Sequence, residues 1–368
     1  MRRRCIIKPP ISITSTITIN QSITNPDKMV TGDINGECIK WIRQNSHIYL
    51  CKYKNNMMHI CQLDDSNSDY YHDGTLAALN SIGVDVMMKL PVFYTKTENL
   101  ASDVWNISFS TAKKSGWTQW GGDLIGVYEG FVNANKLYSV TMSGSSSTGD
   151  RTYSQFKTYA KNRGNGFSMV KWKHQNIMAF LYYAMYGNTD CTSTIGNGGG
   201  GYGRELGLMN YLGMTDTSDN SRDSMKFWGL ENWWGGKSEW VDNVIINPDQ
   251  INNVWRITED DGSTRDVQGK YVNGPIGRIV IGPYLDVIGL TSYNSTSTTI
   301  GYCDTQYVSN DLLKCRGWRS GSGVSWECGV AYFRCENVSS FKNAEITSRL
   351  AYSGPITEMK DVQEFKLL

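Results

Sequence analysis

The chain has four histidines, His47, His59, His72 and His174, and none falls between Cys303 and Gly354. That stretch nonetheless concentrates unusual side chains. It holds Gly317-Trp318-Arg319-Ser320-Gly321-Ser322-Gly323, then Trp326, then a polar run from Asn337 to Asn343. Its acids (Asp304, Asp311, Glu327, Glu336 and Glu345) show no paired spacing of the kind a general acid and base would need. Trp and Arg supply contact energy, while Ser, Gly and Asn adapt their hydrogen bonds. The chemistry this composition supports is therefore non-covalent recognition. Two β-type runs, residues 329–333 and 346–352, frame the segment and are expected to anchor it.

Other motifs point to less. Asp65-Ser66-Asn67-Ser68-Asp69 opens like a calcium loop, but Tyr70 stands where Gly is required and Leu76 where a bidentate Glu should sit, so a polar loop is expected. Residues 196–203 contain G-x-G-x-x-G, yet a helix and a Cys-Thr-Ser loop precede it and no Lys-Ser/Thr follows. It reads as a loop rather than a phosphate cradle. His174 begins a helical segment and is expected to cap or pack rather than to bind a metal. The nine cysteines form no C-x-x-C pair and no regular spacing, which points to thiols in a reducing compartment.

The balance of 36 basic against 35 acidic side chains argues against a nucleic-acid surface. Charged residues make up only 19%, whereas Gly (37), Tyr (21) and Trp (12) are abundant, which suggests a loop-rich fold with aromatics at surfaces. No run reaches the roughly 18 apolar residues of a membrane span. The basic start, Met1 to Arg4, lacks the apolar segment of a signal peptide, so a cytosolic site of synthesis is expected.

Several elements are legible along the chain. Residues 11–24 alternate Ile with Ser, Thr or Asn and read as an edge strand that pairs with another copy or an assembly partner. Residues 1–65 read as a small β-rich N-terminal module, and residues 66–368 as the ligand-binding domain. A short helix is expected over 75–80 and buried strands over 84–94 and 123–131. Helices are expected over 152–162 and 174–186, the second ending at Gly187 and forming the central core helix. Four Trp between 228 and 240 must be buried or held in a recognition surface. Asp260-Asp261-Gly262 marks a hairpin.

The order of these pieces resembles a known family. Segments IGVYEGFV, two helices, Gly229-Leu230-Glu231-Asn232-Trp233-Trp234-Gly235, Glu239-Trp240-Val241-Asp242 and the Ser348-Arg349-Leu350 ending resemble the C-type-lectin-fold domain of the formylglycine-generating-enzyme type. Within it, the likeness is to variable proteins of diversity-generating retroelements and their relatives in tailed phages. The resemblance covers about residues 80–354. It implies an α+β C-type lectin fold with few regular strands and two main helices, behind the β-rich N-terminal module.

The resemblance also implies a phage tail-fibre or receptor-binding role, with a variable region at about 315–345. The residues it points to as ligand contacts are Trp318, Arg319, Ser322, Val324, Trp326, Cys328, Arg334, Cys335, Asn337, Phe341 and Asn343. Adenine mutagenesis of Asn codons would account for Arg319, Ser322, Val324, Cys328, Arg334, Cys335, Phe341 and Asn343, but not for Trp318, Trp326, Glu336 or Lys342. Expected partners are a bacterial surface protein or glycan and other virion tail proteins, with the chain a homo-oligomer, possibly a trimer, in the virion tail. No catalytic residue, metal ligand or cofactor is expected, the calcium motif being incomplete. One alternative is a bacterial cell-surface adhesin of the same fold. Another is an oxidase, since Gly323-Val324-Ser325-Trp326-Glu327-Cys328 followed by Cys335 is reminiscent of the family's paired cysteines. Against the oxidase stand Val324 in place of Gly and the wide cysteine spacing.

Overall fold

A computed structural model describes residues 12–141, 147–198, 205–219, 224–246, 254–259, 261–268, 274–292, 299–308, 315–319 and 329–368. Among the described residues there are 26 strands and six α-helices, so the protein is mostly β. This corrects the expected α+β fold with few regular strands. Many of the strands are three-residue pieces buried on both faces, such as Leu124–Gly126, Ile346–Ser348 and Leu350–Tyr352. Pieces that short and that buried carry no period-two alternation, so they are silent in the sequence pattern.

The first of three large sheets has the order Val30–Gly32, Thr14–Asn20, Val104–Ser110, Phe93–Ala101, Thr118–Trp120. Thr14–Asn20 is thus an interior strand paired on both sides within its own chain, not an edge awaiting a second copy. Its Ile17 and Ile19 are fully buried. On the opposite face, Thr16 Oγ1 meets Ser108 Oγ at 2.8 Å and Thr18 Oγ1 donates to Asn106 Oδ1 at 2.7 Å. Cross-strand bonds between short polar side chains satisfy the face that looked solvent-exposed.

The second sheet runs Phe167–Met169, Leu350–Tyr352, Leu124–Gly126, Val84–Lys89, His47–Lys54, Met57–Gln62, Ile356–Glu358. Strands from the first 65 residues sit here between strands from the middle and the far end of the chain. A boundary at residue 65 therefore falls inside a shared sheet. The helix expected over 75–80 is replaced by a turn and a bridge between Tyr70 and Leu76. Asp73 Oδ1 accepts from both the backbone N (2.9 Å) and Oγ1 (2.8 Å) of Thr75, so its side chain captures the backbone before a helix can start.

The third sheet runs Thr264–Gln268, Val254–Thr258, Ser238–Ile246, Cys315–Arg319, Phe333–Val338, Thr305–Val308, Gly274–Ile279, Gly289–Ser292, with Ile346–Ser348 parallel to the start of Ser238–Ile246. The hairpin at Gly262 joins the edge strand Thr264–Gln268 to its neighbour Val254–Thr258, with Thr258 opposite Thr264. Packed against these sheets is the helix Trp172–Tyr186, in which all but three of the residues are buried and which ends at Gly187 in the left-handed conformation (φ 66°). Trp172 lies edge-on to Phe333 with ring centroids 4.8 Å apart, which fixes helix to sheet. The helix Tyr153–Lys161 starts at Thr152, whose side chain and that of Gln155 cap each other's backbone N–H groups. Trp228, Trp233, Trp234 and Trp240 are buried, which decides their role as core.

Candidate contact surface and its frame

The antiparallel strands Cys315–Arg319 and Phe333–Val338 form the base of the candidate surface, with Arg316 opposite Asn337 and Trp318 opposite Arg334. Their approach is close. A Cβ on Gly317 would lie 2.0 Å from Phe333 Cζ and 2.7 Å from Val244 Cγ1, so only glycine fits. The entry to the second strand is clamped from below. Ala331 N donates to Asp304 Oδ2 at 2.8 Å, Gln175 Nε2 donates to Val330 O at 2.9 Å, and Val330 N donates to Cys191 Sγ at 3.2 Å. A Cβ on Gly329 would lie 1.8 Å from Asp304 Oδ1. Burial pushes the Asp304 carboxyl up to about 8, against the hydrogen bond from Ala331 and with help from nearby Asp190.

Beyond this base the strand opens outward. Phe333 and Cys335 are buried, whereas Arg334 and residues 336–343 are half-buried or exposed. Arg334 pairs with Glu336 on the same face, and its guanidinium lies 4.9 Å over the Tyr307 ring. Asn337 is half-buried. Phe341 is partly buried and packs on the cluster containing Trp240 and Ile346. Asn343 builds a turn: its Oδ1 accepts from Glu345 N at 2.8 Å and its carbonyl from Asp150 N at 2.7 Å.

The expected contacts thus divide. Arg334, Asn337 and Phe341 share an accessible stretch, and Asn343 shapes its end. Cys335 lies in the core cluster of Trp172, Trp255 and Phe333 and is out of reach of a ligand. Trp318 and Arg319 hold backbone positions opposite Trp240 and Glu239. Ser322, Val324, Trp326 and Cys328 lie outside the described residues.

One residue central to this frame entered the sequence reading only as part of the Ser348-Arg349-Leu350 ending, without a role. Arg349 separates Ile346–Ser348, which belongs to the third sheet, from Leu350–Tyr352, which belongs to the second. It is fully buried, with Nη2 2.6 Å and Nε 2.9 Å from Glu239 Oε1. Nη1 donates to the carbonyls of Gly126 (3.0 Å) and Val127 (2.6 Å), and Nη2 to those of Glu231 (2.8 Å) and Asn232 (3.2 Å). Every guanidinium donor is therefore aimed at an acceptor, the condition under which a buried charge is tolerated. The available signal was a lone Arg inside a run otherwise fit for burial, with Glu239 in the Trp-rich segment.

Other acids cluster nearby. Burial, with the Glu239 carboxylate adding to it, pushes Glu129 up to about 7, and Glu129 Oε1 accepts from Lys237 N at 2.7 Å. Burial likewise pushes Lys226 down to about 8 beside Glu231, whose carboxylate accepts from Gly207 N (3.0 Å) and Met209 N (3.1 Å).

The remaining motifs resolve into structural roles. In the calcium-like loop, Asp65 faces His47 Nδ1 at 2.9 Å, Asn67 Oδ1 accepts from Asp69 N at 3.0 Å, and Asp69 Oδ1 accepts from Asn210 Nδ2 at 2.9 Å. Each of these three side chains has a partner within the protein. His174 accepts from Lys171 N through Nδ1 (3.2 Å) and meets Asp123 Oδ2 through Nε2 (3.0 Å), so it caps its helix as the neutral Nε2–H tautomer, its pKa lowered by burial. Of the glycine-rich loop, Gly196 offers its carbonyl to Trp234 Nε1 at 2.8 Å, and residues 199–203 lie outside the described residues.

No family model matches the chain, and no curated protein matches it. Among solved structures the chain is similar to the P3c variant and the U1 variant of Major Tropism Determinant. Each has a TM-score of 0.33 and 10% identity, over 85% of this chain and 73% of that one.

Proposed function

We propose that the protein is a receptor-binding protein of a tailed phage that contacts a bacterial surface molecule through residues 316–343. The observation that carries this reading is the change of character along one segment. Residues 330–341 begin in the core, where Val330 and Ala331 are held by Asp304, Gln175 and Cys191, and leave it as a half-exposed run carrying Arg334, Asn337 and Phe341. A rigid base under accessible Arg, Asn and aromatic side chains is what a preorganised contact surface needs. The sequence resemblance to retroelement-diversified variable proteins points the same way. The similar solved structures are named tropism determinants, though at a TM-score of 0.33 that likeness adds no weight.

In this reading the chain is a non-enzymatic component of the virion tail, and its C-terminal segment is the part diversified. A paired-cysteine oxidase is disfavoured because Cys335 is fully buried. Copies assemble, as a trimer, so that modest single contacts add by avidity; light scattering that gives a monomer mass would remove that part. The test of the whole reading is binding to intact cells of candidate bacterial hosts. The combined variant Arg319→Ala, Trp326→Ala, Phe341→Ala, verified as folded by its thermal transition, is expected to bind at least tenfold more weakly. Equal binding would mean the surface lies elsewhere.

A further inference from the structure

A cleft of about 400 Å³, with none of the described residues 315–319 and 329–343 in its lining, lies where three separate elements converge. One wall is Thr118–Trp120, at the end of the first sheet. A second is the first turn of the helix Trp172–Tyr186. The third is the hairpin of Val254–Thr258 and Thr264–Gln268 with Tyr284 beside it. Its volume falls in the range of small-molecule sites.

Three features show that the cleft is built rather than left over. The first is Asn243, which lines it from a bulge in Ser238–Ile246, where the register against Cys315–Arg319 shifts between Trp240 and Ile245. Asn243 sits at φ 74°, in the left-handed region that Asn tolerates better than most residues. Bulges of this kind re-aim a side chain, and here the bulged stretch carries a residue of the cleft lining. The second is Tyr284, which is 42% exposed although it is a large aromatic. Arg265 lies over its ring at 4.2 Å, and Asn176 Nδ2 holds its carbonyl at 3.2 Å. The third is a buried support: Asp286 accepts both Nη atoms of Arg265 at 2.7 Å and Trp172 Nε1 at 2.9 Å.

The same hydrogen bonds decide the class of ligand. Arg265 already directs Nε to Glu259 (2.5 Å) and both Nη atoms to Asp286, so it is no anion clamp. Lys173 is paired with Asp123 at 2.7 Å. With Arg265, Glu259 and Lys173 already paired, and Lys171 and Asp261 of opposite sign in the same lining, a ligand of either net charge gains little. What remains on offer is an exposed aromatic ring together with short amide and hydroxyl groups from Thr118, Gln119, Asn243 and Ser263. That set suits a ligand with an apolar C–H face and many hydroxyls.

We propose that this cleft binds a neutral saccharide, as a second site distinct from the contact surface at 316–343. The test exposes the full chain to an array of neutral and acidic glycans and titrates the retained glycans by Trp fluorescence, which Trp120 and Trp172 in the walls should report. Retention of neutral glycans is expected. Tyr284→Ala should weaken binding at least tenfold. Asn243→Gly should do the same, since glycine keeps the left-handed backbone and removes only the amide. Retention of acidic glycans alone, or of none, overturns the proposal. So does binding that survives both substitutions. Loss of glycan binding in the Arg319→Ala, Trp326→Ala, Phe341→Ala variant with Tyr284→Ala without effect would place the sugar on the contact surface instead, which overturns this site and leaves the receptor-binding reading standing.

Discussion

Two Arg–Glu pairs lie at or beside the third sheet and do opposite things. Arg349 and Glu239 have side-chain exposures of 0% and 1%, whereas Arg334 and Glu336 have 26% and 31%. The first pair is enclosed by four backbone carbonyls and a Trp ring at 5.7 Å, so neither charge can be relieved by water. The second rests on Tyr307 at the protein surface. The same chemistry is thus a structural tie in one place and a half-exposed surface pair in the other. Burial alone sets the difference.

Removing Arg349 should break the comparison most severely. Arg349→Ala strands Glu239 and four carbonyl groups, and a loss of about 3–5 kcal/mol in denaturant unfolding is expected. Arg349→Lys should recover only part, because three donors cannot serve a site built for a planar fork. Next comes the strand contact beneath the surface. Gly317→Ala drives a methyl into Phe333, and a loss of about 1–3 kcal/mol is expected from the same measurement.

The acids of the frame give a pH dependence with a definite sign. Asp304 and Glu129 have folded pKa values raised to about 8 and about 7, above their ordinary values of 3.8 and 4.5. The native state therefore holds protons that the unfolded chain has released, and stability declines as pH rises from about 4 to about 8. Below that window both states are protonated, and above it both are ionised. Denaturation midpoints measured across it should fall with pH, and Asp304→Asn should flatten the upper part of the slope. The smallest effect belongs to the exposed pair. Arg334→Ala should change stability by no more than about 1 kcal/mol while weakening cell binding. A large loss of stability there would erase the contrast between the two pairs.

What could be read from the sequence follows the distance over which each feature is decided. The helices at 153–161 and 172–186 were legible because Thr152, Gln155 and Gly187 act on their own turns. The hairpin at Gly262 was an equally local inference, whereas the four Trp could be read only as buried or held in a recognition surface. The strand Thr14–Asn20 was visible, but not its partners, since Val104–Ser110 lies some ninety residues away. Asp73 defeated the helix expected after it through one side chain-to-backbone capture that composition does not announce. Within the candidate surface, position along the chain could not separate Cys335, which lies in the core, from Arg334 beside it. Arg349 stayed hidden because its meaning depends on four stretches of chain that meet only in the folded state.

The Glu239–Arg349 pair also acts as a clasp. It closes an excursion of about 110 residues that contains the whole contact segment, and it does so at the neck, where the second and third sheets exchange strands. The entropy of closing such a loop grows only with the logarithm of its length, about 0.6 kcal/mol per doubling. Chain length can therefore change within the excursion at little closure cost as long as the clasp holds, and such change is limited by the excursion's packing on Gln21, Gln175 and Cys191 outside it.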